Sequence, residues 1–265
     1  MENIQNEQDL INSFDKSAKE YDDITSTFGH EIGQYLKTKI LSMELPSAIN
    51  KLELLDLGGG TGKFSIILSK MGYNVTLVDI SERSLEIAKS NFLKEKLSIK
   101  TINASGEKLP IDNDTFDIIV MIGCVISYTP NPEKLLQECK RILKKNGILI
   151  FDFSNTFGWA NEIHDLKLRL ESIESTEKLI QMGNWDYPMR LFNYKFMEKL
   201  VLKNNFKIKS KYGCINATTS LPLKIRYSKE FDQNLLERYK IKEFELSKDK
   251  ECYGTSWECI IVAIK

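Results

Sequence analysis

Two aspartates and a cluster of glycines are the residues whose types and spacing point most directly to chemistry. Asp56 ends the apolar run Leu52-Glu53-Leu54-Leu55, and Leu57-Gly58-Gly59-Gly60-Thr61-Gly62-Lys63 follows it. Glycines at this density remove β-carbons where a strand meets the next helix, so backbone amides can approach a ligand and positive φ angles cost little. Asp79 ends the next apolar run, Tyr73-Asn74-Val75-Thr76-Leu77-Val78, about twenty residues beyond the turn. A carboxylate there offers two acceptor oxygens on one rigid group, which suits the paired hydroxyls of a ribose. Capping the helix that starts near Glu82 is the structural alternative for Asp79, and the two roles are compatible. The turn is therefore of a nucleotide-binding type. A dinucleotide turn from Gly58 needs glycine at 58, 60 and 63, but position 63 is Lys; a P-loop needs Ser or Thr where Phe64 stands. What remains is an acid followed by alternating glycines.

These residues need strands to hold them. Leu52 to Asp56 lacks polar alternation and reads as a strand covered on both faces, as in a parallel α/β sheet. A helix from Lys63 to Met71, ended by Gly72, leads to the second strand, Tyr73 to Asp79. Further strands are expected at Ser98–Ile102, Phe116–Met121 and, after an Asn146-Gly147 turn, Ile148–Phe153, with a helix over Pro132–Leu143. Strands alternating with helices predict a doubly wound sheet. A half-exposed strand at Phe206–Tyr212 and a terminal one at Ser256–Ile264 bring the total to seven.

Four segments, taken in order, carry a resemblance. Leu54-Asp56-Gly58-Gly60-Gly62, then Val78-Asp79-Ile80-Ser81, then Glu107-Lys108-Leu109-Pro110 before Phe116-Asp117, then Arg141 to Gly147 resemble the successive motifs of class I S-adenosylmethionine (SAM) dependent methyltransferases. The likeness is to the small-molecule branch that includes the ubiquinone/menaquinone-biosynthesis type, and it covers roughly residues 15 to 155. It implies a Rossmann-like, seven-stranded, mostly parallel sheet with an antiparallel last strand beside the fifth. It implies SAM as cofactor, with Asp56 and the backbone of Gly58, Gly59 and Gly60 around the methionine part, Asp79 on the ribose and Ile80 on the adenine face. The family usually has an Asp four residues before the Leu-Pro, on the adenine amino group; here Ser105 stands there, followed by Gly106. After the fourth strand Gly123 and Cys124 would line the methionine end, and the histidine pair common at that place is absent. No catalytic residue is assigned.

The acceptor side is less legible. Tyr21, in a helical N-terminal arm, is a candidate to close over the reactive end of the cofactor, or simply an anchor. Trp159, His164, Trp185 and Arg190 fall in an insertion over the carboxyl edge of the sheet, where loops build pockets. Each has a plain structural reading as well. The expected organisation is an arm (1–46), a SAM-binding core (47–155), a lid insertion (156–192) and a segment completing the sheet (193–265).

The 265 residues carry 37 basic and 37 acidic side chains, so net charge is zero. That balance argues against broad electrostatic capture of nucleic acid or an anionic membrane. Five scattered cysteines without a C-x-x-C read as reduced thiols of a cytoplasmic protein, with no metal site expected. The start of the chain is polar, without the look of a secretory leader, and no apolar run reaches membrane-spanning length. A small-molecule acceptor is expected, and oligomeric state is left open. The alternatives are a SAM-binding protein without activity and an NAD-dependent oxidoreductase.

Overall fold

The computed structural model describes residues 6–48, 51–160, 163, 165–180 and 187–265. Two helices, α1 (Glu7–Ile24) and α2 (Phe28–Glu44), precede the sheet. Then follow β1 (Glu53–Leu57), α3 (Lys63–Lys70), β2 (Asn74–Asp79), α4 (Glu82–Lys94), β3 (Lys100–Asn103), β4 (Phe116–Met121), α5 (Val125–Tyr128), α6 (Pro132–Ile142) and β5 (Leu143–Ser154). An insertion holds α7 (Thr156–Ala160), α8 (Leu166–Glu174), β6 (Glu177–Ile180) and β7 (Met189–Phe192). The chain ends with α9 (Tyr194–Lys203), β8 (Lys207–Cys214), α10 (Leu223–Arg226), α11 (Gln233–Ser247), α12 (Lys250–Tyr253) and β9 (Glu258–Ile264).

The main sheet has the order β3-β2-β1-β4-β5-β9-β8. β9 runs antiparallel between β5 and β8, with Val262 opposite Ile150 on one side and Ser210 on the other. This is the seven-stranded arrangement expected from the motifs. Side chains alternate across it as the two-residue strand period requires. Leu55, Ile119 and Met121 join a core with Leu135, Leu136 and Cys139 of α6 and Met197 and Val201 of α9. Leu54, Ile118 and Val120 join the opposite core with Ile32, Leu36 and Ile40 of α2, Leu68 of α3 and Leu236 of α11. Both faces of β1 are thus covered, which is why its sequence shows no alternation.

Several boundaries differ from the expectation. Asn146, at φ 63°, and Gly147 make a bulge within one long β5 instead of a turn before it, and the β4–β5 register shifts between Phe116 and Ile118. The start of α11 is set by Asp232 accepting from the Leu235 amide. The insertion adds a two-stranded ribbon, β6–β7, that the apolar pattern does not announce. Leu166 and Leu170 face outward from α8, at 78% and 56% exposure. The lysines of β8 alternate into solvent, and Lys209 and Lys211 pair with Glu44 and Glu198 at 2.8 Å, so this edge is charged and locally neutralised. No helix among the described residues is long and apolar enough to cross a membrane.

Candidate functional site

The strand order reverses direction between β1 and β4, and a cavity of about 380 Å³ opens at their carboxyl ends. This is the crevice where open α/β sheets place their ligands, and the volume is that of a small-molecule site. Its floor is the glycine turn. Gly58 (φ 73°) and Gly60 (φ 54°) both adopt left-handed backbone. A β-carbon on Gly58 would lie 2.5 Å from a Val125 methyl, whereas one on Gly60 would meet nothing within 4 Å. The first glycine serves packing of the two turns, and the second leaves space above the backbone.

Asp79 stands at the edge of this cavity with both carboxylate oxygens already oriented. Oδ2 accepts from the Gly60 amide and Oδ1 from the Ser81 amide, each at 2.8 Å. Each oxygen keeps a lone pair for a ligand hydroxyl. Burial raises the Asp79 pKa, opposed by those two amides. The adjacent helix α4 is capped by Ser81, whose Oγ accepts from the Ser84 amide at 3.0 Å, so Asp79 is left to the turn and the cavity. Asp56 has a different place. It is fully buried behind the turn and receives a 2.6 Å hydrogen bond from Ser65 Oγ, and burial pushes its pKa up to about 6.

The N-terminal arm forms the roof. Thr61 Oγ1 donates to Asp22 at 2.7 Å and Ser81 Oγ to Asp15 at 2.5 Å, so α1 is tied to both the glycine turn and the start of α4. Leu10, Phe14, Ala18 and Tyr21 of α1 line the cavity. Phe14 meets Tyr128 edge to face, their centroids 5.4 Å apart.

A second turn faces the first. Gly123 and Cys124, both at positive φ, follow β4, and their amides point down to Asp152 Oδ1 at 3.0 and 2.6 Å. Lys37 Nζ lies 2.8 Å from Asp152 and 2.7 Å from Glu258. Burial works against its charge, but the two carboxylates outweigh burial and hold its pKa well above the ordinary range. The Cys124 thiol, Asp152 and Glu258 present ligand atoms within 4.8 Å of one another, and the Lys37 ammonium fills the place a cation would take. Burial, then Asp152 and Glu258, raise the Cys124 pKa well above normal, which leaves it a neutral thiol.

The far wall comes from distant segments. Trp159 stacks on Trp257 with centroids 4.4 Å apart and planes 11° apart, and the Arg226 guanidinium lies 4.8 Å from the Trp257 centroid. Beside them His30, in the first turn of α2, has its Nδ1 2.7 Å from Thr27 Oγ1 and its ring 6.1 Å from that of Tyr227.

Of the residues singled out from sequence, Gly58, Gly59, Gly60, Asp79, Ile80, Ser105, Gly106, Gly123, Cys124, Tyr21 and Trp159 all line this one cavity. Asp56 does not reach it. Arg190 does not line it either: it pairs with Glu177 at 3.0 Å across the β6–β7 ribbon and donates to the Pro130 carbonyl. His164 and Trp185 lie outside the described residues. Lys37, Asp152, Glu258, His30, Arg226 and Trp257 were not expected. A signal existed for two of them: Lys37 interrupts the buried stripe Ile32, Leu36, Ile40 of α2, and Asp152 interrupts the apolar run of β5. The others are ordinary residues in their local sequence.

Known proteins share these features. A family profile described as "Methyltransferase domain" matches residues 55–151. The chain is 25% identical over 191 residues to a ubiquinone biosynthesis O-methyltransferase of Colwellia psychrerythraea, covering 68% of this chain and 75% of that one. It is 28% identical over 214 residues to an uncharacterized protein of Methanocaldococcus jannaschii, covering 77% and 94%. Among solved structures, a SAM-dependent methyltransferase of Thermotoga maritima, described as a possible histamine N-methyltransferase, superposes with a TM-score of 0.62 at 22% identity over 97% of this chain and 99% of that one. The sheet order, the glycine turn and these likenesses together make this chain a SAM-dependent methyltransferase of Rossmann-like fold, with SAM as its cofactor.

Proposed function

We propose that this protein moves the SAM methyl group to an oxygen, nitrogen or carbon nucleophile of a small-molecule acceptor by in-line displacement, in the cytoplasm. The observation that carries the reading is the Asp79 carboxylate, held by the Gly60 and Ser81 amides at the edge of a closed-over cavity. In this reading the ribose hydroxyls donate to Asp79, Ile80 packs on the adenine, and Ser105 and Gly106 border the adenine edge in place of the usual carboxylate. The amino end of α3 faces the methionine carboxylate, and Gly60, Gly123 and Cys124 border the methionine chain. Asp56 supports from behind by holding Ser65.

The acceptor enters opposite the adenosine, against Trp159 and Tyr21. The roof of α1, with Trp159 and Met189 beside it, supports a small acceptor, and the chain's zero net charge offers no attraction to nucleic acid. Aligning the acceptor and excluding water supply most of the rate for a reaction whose driving force resides in the cofactor. The named activities of the relatives, O-methylation in ubiquinone biosynthesis for one and N-methylation of histamine as a possibility for another, both concern small acceptors.

Calorimetry with SAM, S-adenosylhomocysteine and NAD, on wild type and Asp79→Ala, tests the cofactor assignments. SAM binding weakened at least ~100-fold by the substitution is expected from loss of two charge-assisted hydrogen bonds. Equal affinity in both proteins would remove Asp79 from the ribose. Transfer from labelled SAM into a small-molecule extract, with the product identified by mass, tests the acceptor class; label appearing only in RNA or protein would overturn it.

A further inference from the structure

The cavity wall holds many groups that could accept a proton, and the structure disqualifies nearly all of them. Burial raises the pKa of Tyr21 to about 12 and that of Tyr128 further, so both hydroxyls stay protonated. Cys124 stays a thiol for the same reason. Glu258 is held by Lys37 at 2.7 Å, Glu107 accepts from the Asn131 amide at 2.8 Å and faces Lys134, and Asp79 is engaged with the glycine turn on the other side. His30 is left.

Its placement is tightly determined. Thr27 precedes α2 but does not cap its amides; its hydroxyl meets His30 Nδ1 at 2.7 Å instead. The Phe28 amide donates to the Ser228 carbonyl at 2.9 Å, and Gly29 packs so closely that a β-carbon would lie 3.3 Å from the Arg226 carbonyl oxygen. The first turn of α2 is thereby pinned against the segment after α10. With Nδ1 engaged by Thr27, Nε2 is the ring nitrogen left for a ligand in the cavity that His30 lines. The charged and titratable groups facing the ring are Lys37 from α2, Lys63 from the start of α3, and Tyr227.

We propose that His30 is the general base of the reaction: its Nε2 takes the proton of an acceptor hydroxyl as that oxygen is methylated. The proposal rests on the small-molecule reading above and narrows it to O-methylation. The acceptor oxygen forms a bond to the methyl carbon while the carbon–sulfur bond breaks, its electron pair staying on sulfur. The hydroxyl proton passes to Nε2, giving an ether and an imidazolium that returns the proton to solvent. Charge balances, one cation replacing another.

The same surroundings choose oxygen. Burial, Lys37 and Lys63 push the imidazole pKa down to about 4, so it is uncharged at neutral pH but only weakly basic. A weak base suffices for an alcohol or phenol, because an oxygen gaining a methyl group becomes a strong acid. A methylated amine holds its proton more tightly than such an imidazole does, and a carbon acid needs a stronger base. Trp159 and Trp257 give that hydroxyl-bearing acceptor an aromatic surface to lie against.

Two measurements on the full chain decide the matter. Long-range 1H–15N NMR of the imidazoles with S-adenosylhomocysteine bound, assigned by comparison with His30→Gln, is expected to show Nδ1 protonated and Nε2 bare at pH 7. An Nε2–H tautomer or an imidazolium at pH 7 would overturn the proposal. In the labelled-SAM extract assay, His30→Gln is expected to slow transfer ~100-fold, within the usual contribution of a general base, while its SAM affinity stays within about two-fold. The product is expected to carry the methyl on oxygen. A product methylated on nitrogen or carbon, or made equally fast by His30→Gln, would sink the assignment of His30 alone. A chain that binds SAM yet labels no small molecule would instead sink the proposed function on which it rests.

Discussion

Thr61 Oγ1 donates a 2.7 Å hydrogen bond to the carboxylate of Asp22, linking the glycine turn of β1 to the last turns of α1. The arm and the cofactor turn are one structural unit, so closure of the roof and binding below it are coupled. Asp22→Ala is expected to raise the SAM Kd about ten-fold, from loss of one charge-assisted hydrogen bond, and to speed amide exchange along α1. Unchanged exchange in α1 would show that the Ser81–Asp15 bond alone holds the arm.

Removing the ammonium of Lys37 leaves buried Asp152 beside half-buried Glu258 without a cation. Lys37→Met is expected to cost about 3–5 kcal/mol in urea unfolding, the usual penalty for breaking a buried pair. Adding Glu258→Gln should recover part of that loss by removing one charge. No recovery in the double variant would indicate that packing of the Lys37 stem dominates.

Asp56 charges at a cost to the fold. Its folded pKa of about 6 lies above the ordinary carboxyl value of 3.8, so the native state binds the proton more tightly than the unfolded chain. The cost is absent below pH 4 and complete above pH 6, and amounts to about 3 kcal/mol at most. Asp56→Asn, which can still accept from Ser65 Oγ, should be more stable than wild type above pH 6.5 and equal to it below pH 4. Denaturant titrations across pH 3.5–7.5 would read the difference directly.

His30 has the opposite sign. Its folded pKa of about 4 lies below the ordinary imidazole value of 6.5, so the unfolded chain takes up a proton that the native protein refuses. Wild-type stability should therefore fall as pH drops from 6.5 to 4, with full stability above 6.5. His30→Gln should lack this component, worth up to about 2 kcal/mol after allowing for partial exposure. Parallel pH–stability curves for the two proteins would show that the imidazole is not held neutral by the fold.

The glycine turn and the two strand-end aspartates were legible because they are local. Asp56, Gly58, Gly60 and Asp79 are placed by strand ends and a tight turn, and such backbone geometry is written in short-range spacing. The strand count follows from the same periodicities, and the antiparallel last strand from the family resemblance. The β6–β7 ribbon was not legible, since its short strands become strands only by pairing with each other.

The far wall of the cavity depended on tertiary structure for all but Trp159, which the sequence already singled out. His30, Trp159, Arg226 and Trp257 come from α2, α7, α10 and the loop before β9, and nothing in the spacing of any one segment refers to another. They converge because α2 and β9 pack at the centre of the molecule, with Lys37 bridging Asp152 and Glu258 between them. By itself the sequence determined a SAM turn and the sheet that presents it. The fold decided which distant side chains face that turn, because contact across a packed core depends on topology and not on separation along the chain.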